Sequence, residues 1–170
     1  MQKPAANEYD PYFQRYIDLV PEGDIQQLML ENKESTSRFF RNIPADKYDY
    51  RYAPRKWTIK EVLMHIVDTE RVMAYRAFVA ARGDNDTVLY RMDENKYAAA
   101  VDVTKRSMDD IIAEFEAVRG ATAFIYHNLS EDESKFMARG EKHPCTARGL
   151  SYIMIGHIEH HLNIISERYI

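Results

Sequence analysis

One cysteine, Cys145, stands in 170 residues. A lone thiol excludes an internal disulfide framework and any zinc site built on paired thiolates, so a bound metal has to be held by nitrogen and oxygen. No stretch approaches the roughly 20 consecutive apolar residues of a membrane-spanning helix, so no membrane partner is expected. The opening MQKPAANEYD has no apolar run behind its single lysine, unlike a secretory signal, and a cytoplasmic location is the resulting expectation. A basic field is missing as well. The net charge is -4 and the lysines and arginines are scattered, so no nucleic-acid partner is expected. Glycine and proline are scarce, six of each, and most fall between apolar-periodic segments, which favours a few long helices over many short strands.

The length suits one domain, residues 1–170. Asp10-Pro11 opens a short helix that Pro21-Glu22-Gly23 interrupts. Asp24 then caps a first long helix with Ile25, Leu28, Met29, Phe39, Phe40 and Ile43 on its apolar side and Pro44 as its stop. The second runs from Thr58 to about Arg82 and ends at Gly83. Thr58 and Glu61 have capping-box spacing there, and Trp57 and Val62 occupy the two staple positions. Ser107 and Asp110 open the third, where Met108, Ile111, Ile112, Phe115, Val118, Thr122, Ile125 and Leu129 recur at helical spacing as far as His127 or Asn128. A turn at Ser130 to Phe136 and an irregular stretch through Gly140 and Pro144 lead to a fourth helix, from about Thr146 to Arg168.

The connection from Gly83 to Arg106, with a small helix around Asp93 to Ala98, is too long for a turn. Extended, it reaches roughly 80 Å, against about 37 Å for the second helix. It therefore has the length to cross the whole bundle and let the second and third helices run parallel. The expected fold is all-α, a four-helix bundle with a long crossover between those two helices.

Three of the six histidines fall in GHIEHHLNII, residues 156 to 165. At 100° per residue, Leu150, Met154, Ile158 and Ile165 share one arc of the fourth helix, and His157 and His161 lie inside it. His160 is near the edge; Glu159 and Asn163 point away. Histidines at i and i+4 offer two imidazole nitrogens to one ion, although such a pair alone is more often part of a core. The metalloprotease pattern His-Glu-x-x-His fails here, because position 158 is isoleucine and the glutamate is at 159.

A third ligand is open among His65, His127 and His143. His143 precedes a proline in a loop, and His127 lies at a fraying helix end. His65 flanks the apolar face of WTIKEVLMHIVDTERVMAYR, about two turns from the start of its helix, and His161 is about two turns from the end of the fourth, so antiparallel packing brings them level, while a parallel arrangement fits with a shift of one helix along the other. Glu70 projects from the same apolar stripe and needs a partner. It either orients a ligating imidazole through its free ring N–H or pairs with an arginine between helices. Cys145 stands just before the fourth helix, where a helix N-terminus lowers a thiol pKa, but without a resolving partner it reads first as a small packed residue.

Lys56-Trp57-Thr58-Ile59-Lys60-Glu61 leading to His65, Asp68-Thr69-Glu70-Arg71, Gly156-His157 with His160-His161-Leu162, and QRYIDLVPEGD from Gln14 to Asp24 together resemble the DinB-like (DinB/YfiT) family over almost the whole chain. The resemblance implies a four-helix bundle with a long crossover and a divalent metal ion, most often nickel or zinc, held by three histidines. By position these are His65, His157 and His161. It also implies a homodimer, in keeping with twelve tyrosines, more than one small core needs. Enzymes of the family include transferases that use a low-molecular-weight thiol and a mycothiol-dependent isomerase. The expected function is a metalloenzyme that activates an exogenous thiol or water toward a small-molecule substrate, a thiol S-transferase or a hydrolase. The alternative is a non-catalytic, metal-stabilised binding or stress-response module.

Overall fold

In a computed structural model that describes residues 1–170, a 3-10 turn at Pro11–Phe13 runs into the short helix α1 (Gln14–Ile17). Four long helices follow: α2 (Ile25–Asn42), α3 (Ile59–Ala81), α5 (Met108–Tyr126) and α6 (Ala147–Arg168), with the small α4 (Glu94–Ala100) inside the crossover. Each long helix starts where a side chain accepts the N–H groups that the first turn leaves free. Asp24 accepts from Gln26 and Gln27, Ser107 from Asp110, and Thr146 from Gly149. Thr58 and Glu61 satisfy one another's backbone in a complete capping box. No helix is long and apolar enough to cross a membrane.

Both α2 and α3 pack against α5 and α6, so α2 and α3 occupy one diagonal of the bundle. Residue pairs give the directions. Lys60 reaches the carbonyl of Arg106 and Glu70 meets Arg119, so α3 and α5 are parallel. The Tyr169 hydroxyl donates to the Trp57 carbonyl while His65 faces His157, so α3 and α6 are antiparallel. Gln26 donates to the carbonyl of Tyr126 and Arg41 meets Glu116, so α2 runs against α5. The order is up-down-down-up, and the long crossover is what makes adjacent parallel helices attainable.

The core has two apolar halves. Ile17, Met29, Ala80, Tyr126 and Ile153 belong to one; Phe40, Leu63, Ile111, Phe115 and Ile165 belong to the other. A polar chain crosses all four helices between them. Arg119 on α5 donates through Nε and Nη2 to both carboxylate oxygens of Glu70 on α3, at 2.6 and 2.8 Å, and through Nη1 to Asn32 on α2 at 2.8 Å. Asn32 donates in turn to Glu159 on α6 at 2.6 Å. Arg119 is 1% exposed. The expected apolar stripe on α5 is corrected accordingly: Arg119 and Tyr126 are buried where Val118, Ile125 and Leu129 are only half-buried. A guanidinium tolerates that position because its donors find a carboxylate and an amide.

Two details lie outside the expected outline. The stretch read as irregular carries a two-residue antiparallel ladder, β1 (Met137–Ala138) with β2 (Cys145–Thr146). Strands of this length leave no periodic trace in a sequence. Second, α1 lies directly on α6. A Cβ at Gly156 would stand 2.0 Å from the carbonyl oxygen of Tyr16, a backbone atom with no rotamer to move. Gly156→Ala is therefore expected to cost about 1–3 kcal/mol, as overpacking does. Urea denaturation reads the effect, and an unchanged midpoint would contradict this seating of α1.

Candidate metal centre

His65 on α3 meets His157 and His161 on α6. The antiparallel helices bring these residues level, and the i, i+4 spacing on α6 stacks two rings on one face. His65 Nε2 is 3.2 Å and His161 Nε2 is 3.1 Å from His157 Nε2. One ring nitrogen from each lies within 4.8 Å of the others. Four-coordinate zinc with Zn–N bonds of about 2.0–2.1 Å requires nitrogens roughly 3.3–3.4 Å apart, close to this arrangement. Hydrogen bonding accounts for it less well. His157 Nε2 faces two ring nitrogens, and one N–H serves only one of them.

Electrostatics keeps the rings neutral. Burial lowers the pKa of His65 to about 4 and of His161 to about 3, and it pushes His157 well below its ordinary value. The neighbouring imidazoles add to the shift at His157 and His161. At neutral pH all three lone pairs are available to a cation.

Around the rings, Thr69 Oγ1 lies 3.4 Å from His65 Nδ1. An Nε2 that held a cation would leave the proton on Nδ1, where Thr69 stands in place to accept it and fix that tautomer. Trp57 covers the His65 ring at a centroid distance of 4.6 Å, and Tyr16 meets His157 edge-on at 5.5 Å. None of these three carries an expected role at the site. For Thr69 a signal existed, its position one helical turn after His65.

The other candidates fall elsewhere. His160 packs on Tyr16 beside the cluster. His143 stacks on Tyr12, with Nδ1 3.2 Å from Asp10. His127 is exposed at the end of α5. Of the two partners weighed for Glu70, the structure has the arginine: both oxygens go to Arg119 and neither bonds to an imidazole. Glu159 does not simply turn to solvent but is half-buried against Asn32. Cys145 is buried, and burial, with help from Glu8, raises its thiol pKa, the reverse of activation at a helix N-terminus.

The three rings line a cleft of about 440 Å³, a volume suited to a small molecule. Tyr12, Phe13, Tyr16, Met73 and Ile153 form apolar parts of its wall.

The molecule is thus an all-α four-helix bundle with adjacent parallel helices joined by one long crossover and a histidine cluster facing a cleft. The chain belongs to the DinB superfamily, whose family model matches residues 29–165. Among solved structures it is similar to YfiT from Bacillus subtilis, described as a probable metal-dependent hydrolase with an unusual four-helix bundle topology. The TM-score is 0.73 at 17% identity, covering 84% of this chain and 82% of that one. A DinB-like protein of Bacillus subtilis, YjoA, matches with TM-score 0.59 and 18% identity over 86% of this chain and 90% of its own. The mycothiol-dependent maleylpyruvate isomerase matches with TM-score 0.63 and 12% identity over 82% of this chain and 58% of its own. At these identities the likeness is one of fold. No curated protein matches the chain by sequence.

Proposed function

We propose that the protein binds one divalent metal ion, nickel or zinc, through His65, His157 and His161, and that it is an enzyme activating an exogenous thiol, or in its place water, for attack on a small electrophile. The observation that carries this reading is the convergence of three neutral imidazoles on a cleft of small-molecule size. When bound, an ion with three neutral ligands keeps its double charge and open positions, and lowers the pKa of a thiol or water toward neutrality.

The chain's own residues do the rest. α3 and α6 present the imidazoles, Thr69 holds the His65 tautomer, and Trp57 and Tyr16 seat the rings and screen them from water. Tyr12, Phe13 and Met73 offer contact to the apolar part of a substrate. No side chain is poised as a nucleophile: Cys145 is sealed in the core and Glu70 is committed to Arg119. The nucleophile therefore comes from solution. The mycothiol dependence of one structural relative and the hydrolase description of YfiT support thiol and water respectively.

The test loads the protein with nickel or zinc and offers cellular thiols with a chromogenic electrophile beside a panel of esters and amides. A thiol-dependent rate that disappears on chelation is expected. Cleavage of esters or amides with no thiol-dependent rate assigns hydrolysis instead, and silence in both assays favours the metal-stabilised binding module. The homodimer belongs to the same reading. Tyr75, Phe78 and Phe124 are exposed on α3 and α5 and suit a second copy. Sedimentation at micromolar concentration is expected to give the dimer mass, and a monomer there would remove it.

A further inference from the structure

We propose that Arg76 is the recognition point for a carboxylate carried by the small molecule that enters the cleft, so that the ligand is an organic anion. This rests on the cleft being the reacting site, as proposed above. Arg76 stands eleven residues after His65 on α3. That is close to three full turns, so the two share a helix face about 16 Å apart along the axis. Helical side chains lean toward the N-terminus, which turns the long Arg76 side chain back toward His65. Both residues line the cleft, with Thr69 and Met73 between them.

The guanidinium is half-buried and has no counter-ion. Nη2 donates to the carbonyl of Tyr90 at 2.7 Å, Nη1 meets only the Met73 sulfur at 3.7 Å, and Nε is buried with no partner. Elsewhere the chain does not leave a buried arginine this way. Arg119 is matched by Glu70, and Arg148 by Glu8 and Glu131. Holding the Tyr90 carbonyl engages one of five N–H donors, so a purely structural role leaves most of the fork unused.

The rest of the cleft agrees. Arg15, Arg91 and Lys142 line it and form no ion pair, against Glu94 and Glu141, of which Glu141 accepts the Arg91 backbone N–H. The excess of cations draws anions in, and Arg76, the least exposed of the four, supplies the fixed point with carboxylate-matching geometry.

Binding is measured by heteronuclear NMR with hexanoate and hexanamide on metal-free protein, and with the ω-thiol of hexanoate and the matching mercaptoalcohol on cobalt-loaded protein, where the thiolate–cobalt absorption band reports binding. Hexanoate is expected to bind about tenfold tighter than hexanamide. Arg76→Gln should remove that preference while leaving hexanamide affinity unchanged, and Arg76→Lys should restore part of it. If the cobalt arm shows the ω-thiol acid binding tighter than the matching mercaptoalcohol, the carboxylate belongs to the thiol; equal binding assigns it to the electrophile. Failure of cobalt to bind counts against the metal reading alone, because the metal-free comparison still reads Arg76. Equal affinity for hexanoate and hexanamide in the wild type, which needs no variant, overturns the proposal. So does a preference that survives in Arg76→Gln.

Discussion

Alanine at His157 or His161 is expected to weaken nickel or zinc binding at least about a hundredfold, since removing even the hydrogen-bond partner of a ligand costs ~10–100-fold. His65→Ala should do the same, leaving two nitrogens from one helix. His160→Ala should keep its metal, although it removes an imidazole from the same helical turn as His161. The distinction follows from a rotation of 100° per residue. His157 and His161 direct Nε2 atoms to within 3.1 Å of each other, whereas His160 packs on Tyr16. Elemental analysis of dialysed single variants, with titration calorimetry, gives the order. Metal loss in His160→Ala together with retention in His161→Ala would refute the assignment.

The largest stability effect is expected at the centre of the bundle. Arg119→Leu strands the Glu70 carboxylate, which is 3% exposed, among apolar side chains. Breaking such a pair from one side costs about 3–5 kcal/mol, whereas replacing both partners by well-packed apolar residues is often close to neutral. Glu70→Leu/Arg119→Leu is therefore expected to be markedly more stable than Arg119→Leu, with part of the loss remaining because Asn32 also gives up a partner. Urea denaturation of both variants decides it, and equal costs would mean that no charge is stranded. The double variant also separates the two roles weighed for Glu70. With no imidazole N–H donating to Glu70, the metal affinity of the double variant should match the wild type, and a parallel loss of metal would give Glu70 a part in holding the imidazoles.

The helices and the histidine face were legible in the sequence because both depend on neighbours a few residues apart. Asp24, Thr58, Ser107 and Thr146 cap helices where they were expected to. Caps work through backbone groups two or three positions away, and His157 and His161 share a face by helical periodicity alone. The length of the segment between Gly83 and Arg106 likewise allowed the parallel pair of helices. Which third histidine stood level with that face was open to a shift of one helix along another. Only the packing of α3 against α6 brought His65 to 3.2 Å from His157.

The same holds for the buried charges. Glu70 had two plausible partners, and Arg119, 49 positions away, met it only because the crossover carries α5 back alongside α3. Arg119 is not legible as an inward residue because charge normally marks the solvent side of a helix, and burial becomes tolerable only when a distant carboxylate and amide are already in place. Arg76 shows the converse, a charge whose lack of a counter-ion becomes visible only once every helix and loop around it is in position. Local hydrogen bonding and periodicity therefore determined the elements and the inward pair of imidazoles. The tertiary structure decided the third imidazole, the polar chain and the cleft, because each depends on contacts between residues far apart along the chain.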